Sequence, residues 1–506
     1  MEQLNTVLPK ETEELETGKT QESPLLVKVR QKFEIYGGCC LFFGILLALL
    51  FYKAGVGLNL FVFSLAILCL FTLIMKGLSI QVKPMTKFYY IIIVFLGLSS
   101  LWTSSGTLHF FNIIGILLLL DLILLTQFNR TREWDFMKYV VKMLGMIFKS
   151  LLCIPRPFCD SGSFLSKSSL LKSKVVRNIL LGILIAIPLS FFILFLLSNA
   201  DLLFMEMTNR VFGRLFSGDI LAVTFIIFYG FIVSYTVLCG SIQQASEDKS
   251  KLAKKADASI AITFMTVLCF IYMIFCLIQV VYLFTNGLFV LPQNFTFAEY
   301  ARRGFFELLA VTIFNIVLML FTNACFKESK LLKFLITLMT ICTYIMIASA
   351  AYRMLLYIDA YHLTFLRVFV LFLLVIDGLV LAGIIISQYQ KRFPLFPYCV
   401  AVVSLCYILF VFAKPDAYIA SYIINQKEKL NEADISYLTS DLSLDAAPYV
   451  IPILKVEDKW EEGIGHVVIE EHYKDYYERR IARVANKMGI RDFNYATQKA
   501  IKQQNQ

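Results

Sequence analysis

The 506-residue sequence has little charge and lacks the short motifs that mark common catalytic sites. Charged residues make up 17% of the chain and hydrophobic residues 58%, whereas ordinary soluble domains carry roughly 25% charged residues. The chain has no P-loop motif, no GxSxG and no HExxH. Its CIPRPFC segment separates two cysteines by five residues, more than a zinc site usually allows. We therefore predict a membrane protein, and we assign no catalytic residue, no cofactor and no metal site.

Long apolar runs fill most of the chain. A run of about 18 residues is long enough to cross the hydrocarbon layer as a helix. The weakest candidate span, 88–102, is short and precedes the Thr/Ser/Gly-rich run 103–107, and its failure to span would reverse every earlier assignment. The sequence predicts an all-α integral membrane protein of about eleven transmembrane helices, with a small, mainly helical C-terminal extramembrane domain. The predicted spans are 35–52, 57–75, 88–102, 108–126, 177–198, 218–240, 259–284, 305–325, 331–352, 364–388 and 396–413.

Charge and cysteine placement predict the orientation. If all eleven segments span, lysine and arginine concentrate in the loops on the side of the N-terminus, which is typical of the cytoplasmic side. None of the twelve cysteines then falls outside, so we expect no disulfides. The net charge of +10 follows from this bias and from attraction to lipid headgroups, so we expect no nucleic-acid partner.

The predicted spans divide the chain into five regions. The N-terminal tail is polar and lacks the basic start and apolar core of a signal peptide, so we interpret it as a disordered cytoplasmic segment. The C-terminal region follows an odd number of spans and is predicted to be extracytoplasmic. The regions are the tail 1–34, the first four spans 35–126, a cytoplasmic loop 127–176, seven further spans 177–413, and the C-terminal domain 414–506.

The cytoplasmic loop contains an amphipathic segment, 134–154. One polar stripe recurs at spacings of 3, 4, 3 and 4 along an otherwise apolar sequence, and it consists of Asp135, Lys138, Lys142, Gly145 and Lys149. We predict a helix in the membrane interface with its lysines toward lipid phosphates. The alternative is a twelfth span, which would cost about 2.5 to 3.5 kcal/mol for each lysine near mid-bilayer.

The sequence of the C-terminal region predicts two helices outside the spans. One lies in SDLSLDAAPYVIPIL and a longer one in GHVVIEEHYKDYYERRIARVANKMG. The longer helix carries an apolar stripe that must pack on its own chain or on another protein. The stripe consists of Tyr473, Tyr477, Ile481, Val484 and Met488.

Two carboxylates lie inside predicted spans. Asp377 is near the middle of the tenth span, and Asp121 is nearer the inner end of the fourth. Ionisable groups inside a bilayer are costly and often functional, so either could bind a cation or relay a proton. The alternative is a structural carboxyl, neutral or hydrogen-bonded between helices.

A second polar group of residues is predicted at the outer ends of the spans. It combines arginine with carboxylates at one membrane depth, which suits either an anion or lipid-headgroup pocket or a lattice of ion pairs between helix ends. Its members are Glu299, Arg302, Arg303, Glu307, Arg353, Asp359 and Arg367.

Several motifs resemble a family of bacterial polytopic membrane proteins that is catalogued only as a domain of unknown function. They are AEYARRGF, YRMLLYIDAYHLTFLRV, KPDAYIASY and ISYLTSDLSLDAAP, and the resemblance runs from about residue 180 to the closing RDFNYATQKA. It implies a bacterial cytoplasmic membrane and no particular activity. The chain departs from the family pattern at Leu202, His362 and Phe365.

Three functional hypotheses follow. The first is a non-enzymatic envelope component, such as a sensor or assembly partner, whose outer domain contacts another envelope protein. The second is a transporter or lipid-handling protein that uses the outer polar residues and Asp377. The third is a membrane-embedded transferase or hydrolase with Glu299 as its base. All three share the lipid bilayer as a partner, and an anionic headgroup or small anion is the ligand that the outer arginines suit.

Overall fold

A computed structural model describes most of the chain. The described residues are 23–132, 134–165, scattered positions within 178–207, then 218–246, 255–284, 304–390, 392–426, 430–455 and 471–506. Within these ranges every regular element is helical, and the one isolated β-bridge joins Ala256 to Phe326. The all-α prediction is confirmed.

Eighteen described α-helices are numbered here in chain order. Those of the N-terminal half are α1 Pro24–Gln31, α2 Phe33–Phe51, α3 Leu58–Leu78, α4 Pro84–Trp102, α5 Gly106–Phe128, α6 Phe136–Leu152, α7 Arg156–Leu165 and α8 Gly218–Ser246. Those of the C-terminal half are α9 Ala258–Phe284, α10 Phe305–Cys325, α11 Lys330–Tyr361, α12 Phe365–Tyr389, α13 Leu395–Phe412, α14 Pro415–Gln426, α15 Glu432–Ser436, α16 Ala447–Leu454, α17 Glu471–Lys487 and α18 Tyr495–Gln504. A π-helical turn, Tyr437–Asp441, and a 3₁₀ turn, Leu444–Ala446, connect α15 to α16.

Ten of the described helices are long and apolar enough to cross a membrane, namely α2 to α5 and α8 to α13. They match ten of the eleven predicted spans. The remaining predicted span, 177–198, lies largely outside the described residues. The weak candidate 88–102 belongs to α4, which starts earlier because Pro84 occupies its first turn, a position that favours proline. Several serine and threonine hydroxyls within these helices donate to their own helix backbone, as when Ser64 donates to the Leu60 carbonyl at 2.7 Å.

The described residues form two compact units, which fall within the following ranges of the chain. The first combines Met1–Ile45, Thr72–Gln81 and Met146–Lys249. Asp160 holds this unit together, because its carboxylate accepts from Arg30 Nε at 3.0 Å and from the Tyr235 hydroxyl at 2.8 Å. Close helix packing adds to this contact. A Cβ on Gly240 of α8 would lie 2.6 Å from Ser150 Cα, so only glycine permits this approach.

The second unit combines Leu46–Phe71, Val82–Gly145 and Ser250–Gln506. Its apolar core runs without interruption from the spans into the C-terminal helices. Met354 and Leu374 of the spans share this core with Ile419, Leu438 and Tyr477 of the C-terminal region, and all five are buried. The C-terminal helices therefore pack on the spans of their own chain.

Both C-terminal helices predicted from the sequence are present, as α16 and α17. The apolar stripe of α17 packs inward, with Tyr477 and Ile481 each 1% exposed and Val484 against the same core. The helix predicted at 134–154 is α6, Phe136–Leu152.

Candidate functional site

The residues of the predicted outer polar group fall into two sets. Glu299, Arg302 and Arg303 lie outside the described residues. Glu307 is described, and its Oε2 accepts from the backbone N–H of Gly304 at 3.0 Å. It therefore caps the first turn of α10, where a negative charge also suits the helix dipole.

Arg353 occupies the space beside the same turn. Gly304 has a φ of +104°, a conformation that disfavours side chains, and a Cβ there would overlap the Arg353 guanidinium. Arg353 Nη2 donates to Gln279 Oε1 at 3.1 Å, and that oxygen also accepts from Ser349 Oγ at 2.6 Å. Arg353 thus connects α11 with α9 and with the start of α10.

Arg367 closes the hairpin between α11 and α12. Its guanidinium lies 4.2 Å from the Tyr357 ring centroid and donates to the backbone carbonyls of Tyr361 and His362. Asp359 is exposed on α11, and no described residue forms a hydrogen bond or ion pair with it. Arg367 and Asp359 therefore do not form an ion pair with each other.

Asp377 belongs to a polar layer inside the spans. Its Oδ2 accepts from Thr312 Oγ1 at 3.0 Å, which joins α12 to α10. Asn315, one turn along α10, accepts from the Tyr272 hydroxyl at 2.8 Å and donates to Thr343 Oγ1 at 3.1 Å. Four spans, α9 to α12, therefore meet through hydrogen bonds in the apolar interior.

Asp121 differs from Asp377. It is partly exposed on α5, and no described residue hydrogen-bonds to it. The two intramembrane carboxylates thus have different surroundings, and only Asp377 belongs to a hydrogen-bonded layer between helices.

A buried set of polar contacts surrounds Asp445, which is not among the predicted site residues. Asp445 is 3% exposed. Its carboxylate accepts from Thr103 Oγ1 and, at 3.1 Å, from the backbone N–H of Ser104. Lys414 Nζ lies 3.9 Å from the same carboxylate. These contacts fasten the C-terminal region to the end of α4.

Lys414 connects this carboxylate to two aromatic rings. It has a φ of +51°, and its Nζ lies 4.5 Å from the Trp102 centroid. Trp102 and Tyr495 stack with 5.2 Å between centroids. Burial lowers the pKa of the Lys414 ammonium, and the nearby Asp445 carboxylate partly offsets that effect.

Asp416 and Asn494 complete the contact region. Asp416 is 4% exposed, and its Oδ2 accepts from the Ser443 backbone N–H at 3.2 Å. Burial raises the pKa of Asp416 above its ordinary value. Asn494 caps α18 with its oxygen and donates with Nδ2 to the Ser100 carbonyl at 2.9 Å and to that of Thr103. We call the set Thr103, Ser104, Lys414, Asp416, Asp445 and Asn494 the polar junction.

The segment after α17 reaches two further helix ends of the same unit. Arg491 Nη1 donates to the Leu49 carbonyl at 2.8 Å, and the Leu58 N–H donates to the Phe493 carbonyl at 3.0 Å. The C-terminal region therefore contacts the end of α2 and the start of α3 as well as the end of α4. These helix termini lie at one end of the second unit.

The geometry of the polar junction fits a structural role, which is to fix the C-terminal region against the end of α4, better than a catalytic one. The Asp445 carboxylate is buried and receives several donors, and both nitrogen and oxygen of the Asn494 amide are bonded to backbone groups. A buried network whose groups are paired fixes one arrangement of the elements that it joins. Among the described residues, no group of three or more histidine, cysteine and acidic side chains could hold a metal ion.

The resemblance to a family of unknown function is confirmed. No curated protein and no solved structure gives a match. A family model described as "Domain of unknown function (DUF4153)" matches residues 90–453. This match begins about 90 residues earlier than the resemblance seen in the motifs, so it contains Thr103 and Ser104 as well as Asp416 and Asp445. Because it covers well over half of the sequence, the chain belongs to this family of unknown function.

Proposed function

We propose that this multi-pass membrane protein is a non-enzymatic component of a bacterial envelope, in which the C-terminal region docks a partner protein. We call residues 414–426, 430–455 and 471–506 the cap. In this proposal the cap lies on the outer side of the cytoplasmic membrane. The lysine and arginine distribution supports that orientation, because these residues concentrate in the loops at the opposite ends of the spans.

The observation that carries the proposal is the rigid attachment of the cap. It shares one apolar core with the spans, and buried hydrogen bonds of the polar junction fasten it to the end of α4. A surface held in one conformation binds a partner without first losing conformational entropy. Tyrosine is common at binding surfaces, and the cap exposes Tyr418, Tyr449 and Tyr476.

Deletion of the cap would be a poor test, because it would also uncover the core beneath. Replacing single tyrosines with a photoreactive phenylalanine analogue avoids this problem. Tyr476 is 45% exposed and its neighbour Tyr477 only 1%. We expect irradiation of intact cells to yield one defined cross-linked species from position 476 and none from 477.

The identity of the cross-linked partner decides the outcome. A single envelope protein, recovered repeatedly from position 476 and lost when Arg479 and Arg483 are both changed to Glu, would support docking. Absence of cross-links from all three exposed tyrosine positions would contradict the proposal.

A transporter or lipid-handling protein is the second candidate, favoured by the polar layer around Asp377. The Thr312 and Asp377 contact places a carboxylate between two spans, where ion or proton pathways are often found. Dye-reported proton flux into vesicles containing the purified protein tests this. Loss of flux in Asp377→Asn, with flux retained in the exposed control Asp359→Asn, would favour transport over docking alone.

A further inference from the structure

Helix α6 has a face that packs on its own chain. Tyr139, Met146 and Ser150 are at most 7% exposed. They are separated by 7 and 4 residues, which places them on one side of an α-helix.

A second face of α6 is apolar and uncovered. Its residues recur at helical spacing on the side opposite Met146, and each is more than half exposed. They are Val141, Leu144, Ile147, Phe148, Leu151 and Leu152. Helix α6 carries three lysines in 17 residues. Each would cost about 2.5 to 3.5 kcal/mol near mid-bilayer, so a transmembrane position does not account for this exposure.

The lysines of α6 lie between these two faces. At about 100° per residue, Lys138, Lys142 and Lys149 fall within one narrow sector that flanks the apolar face. Lys138 Nζ lies 4.9 Å from the Trp134 centroid, so an indole ring stands beside the lysine stripe. Tryptophan is enriched at the boundary between lipid and water.

Contacts at the start of α6 give its depth. The Tyr139 ring stacks on Phe396 with centroids 4.2 Å apart, and Phe396 is the second residue of the spanning helix α13. Asp135 lies 3.8 Å from Lys255 Nζ, just before α9 begins. The start of α6 is therefore level with the points where two spans enter the membrane.

From these observations we infer that α6 lies in the headgroup layer of the leaflet opposite the cap and binds anionic phospholipid. The exposed apolar face rests on the acyl chains, and the lysine stripe contacts lipid phosphates. In this position the buried face packs on the chain, the exposed apolar face contacts acyl chains, and the lysine stripe lies at the level of the headgroups. The ligand is a phospholipid whose headgroup carries a net negative charge, such as phosphatidylglycerol, in contrast to zwitterionic phosphatidylcholine.

Spin labels on the full-length protein test the placement. Single cysteines at Phe148, Lys142 and Met146 would carry the label after reconstitution into vesicles of phosphatidylglycerol and phosphatidylcholine. We expect position 148 to be accessible to oxygen and protected from a water-soluble nickel complex, position 142 to be accessible to nickel, and position 146 to be protected from both. Nickel access at 148, or protection from both reagents there, would overturn the inference, since the face would then be in water or covered by protein.

A second measurement tests the choice of lipid. Spin-labelled phosphatidylglycerol should associate with the wild-type protein at least twofold more strongly than spin-labelled phosphatidylcholine. The variant with Lys138, Lys142 and Lys149 all changed to Gln should lose most of this preference while position 148 keeps its oxygen access. A matched triple change in the cap, at Lys474, Lys487 and Lys502, should leave the preference intact. An unchanged preference in the α6 variant would contradict a role for its lysines.

Discussion

Asp445 is the single residue on which the polar junction most depends. Replacing it with alanine would leave the Ser104 N–H and the Lys414 ammonium without their carboxylate in a buried setting. We expect Asp445→Ala to destabilise the protein by roughly 3 kcal/mol, measured as a lower midpoint of thermal unfolding in detergent. Asp445→Asn should lose less, because it keeps an acceptor for Ser104.

An exposed ion pair of the cap provides the control. Asp475 and Arg479 are 3.2 Å apart, but their side chains are 54% and 78% exposed. Asp475→Ala should cost about 1 kcal/mol or less. Equal shifts for the two alanine variants would show that Asp445 is no more important than a surface carboxylate.

Asp416 should make stability depend on pH. Its pKa is raised by burial, so the folded protein binds a proton more tightly than the unfolded chain does. The contribution of Asp416 to the free energy of unfolding is therefore largest below its ordinary pKa of 3.8. This contribution is lost as the pH rises through the raised pKa. Asp416→Asn removes the dependence and keeps an acceptor for the Ser443 N–H. We expect the stability of the variant relative to wild type to increase with pH, as measured by thermal midpoints at several pH values; a constant difference would contradict the assignment.

At the scale of elements, one of two adjacent arginines of α17 holds the π-helical turn Tyr437–Asp441 in place. Arg480 donates to the Thr439 carbonyl at 2.6 Å and to the Leu442 carbonyl at 2.7 Å, whereas Arg479 points outward and is 78% exposed. These bonds satisfy carbonyls at the end of the π-helical turn Tyr437–Asp441. Arg480→Ala should therefore loosen that turn, and Arg479→Ala should not.

Hydrogen exchange across residues 437–442 measures this difference. Loss of two charge-assisted hydrogen bonds should speed exchange there by roughly tenfold or more. Arg480→Lys should recover only part of the protection, since an ammonium cannot reproduce the planar fork of a guanidinium. Similar exchange in the two alanine variants would show that the turn is held by its apolar contacts alone.

The helices were predictable from the sequence, whereas their polar contacts were not. Apolar runs are local signals, so the ten described spans, α6 and α17 agree with their predicted positions. The bond between Thr103 and Asp445 joins residues 342 positions apart, and the apolar or polar character of neighbouring residues gives no sign of such a pairing. Asp445 lies within the ISYLTSDLSLDAAP motif, which indicates a family and not this contact. For Glu307 and Arg367 the residue types were informative, but their roles as a helix cap and a hairpin contact depend on backbone geometry.

At the scale of the whole molecule, the cap belongs to the fold of the second unit. Its helices bury the same core as α11 and α12, and its closing segment contacts the ends of α2 and α4. The family match stops at residue 453 and so leaves out α17 and α18, although both pack into this unit. A partner bound to the cap would therefore contact helices that share an apolar core with the spans.

The proposed orientation can be tested with two cysteines at opposite ends of the second unit. Ser440 is exposed in the cap, and its neighbour Tyr437 accepts a hydrogen bond from Phe365 at the start of α12. Glu328, whose side chain is 64% exposed, lies just before the start of α11. This is the opposite end of α11 from its hairpin with α12. With the twelve native cysteines replaced, we expect Ser440→Cys to react with a membrane-impermeant maleimide in intact cells, and Glu328→Cys to react only after permeabilisation. The reverse pattern would show that the whole chain has the opposite orientation in the membrane. The cap would then face cytoplasmic partners. Labelling of both positions in intact cells would contradict the span between them.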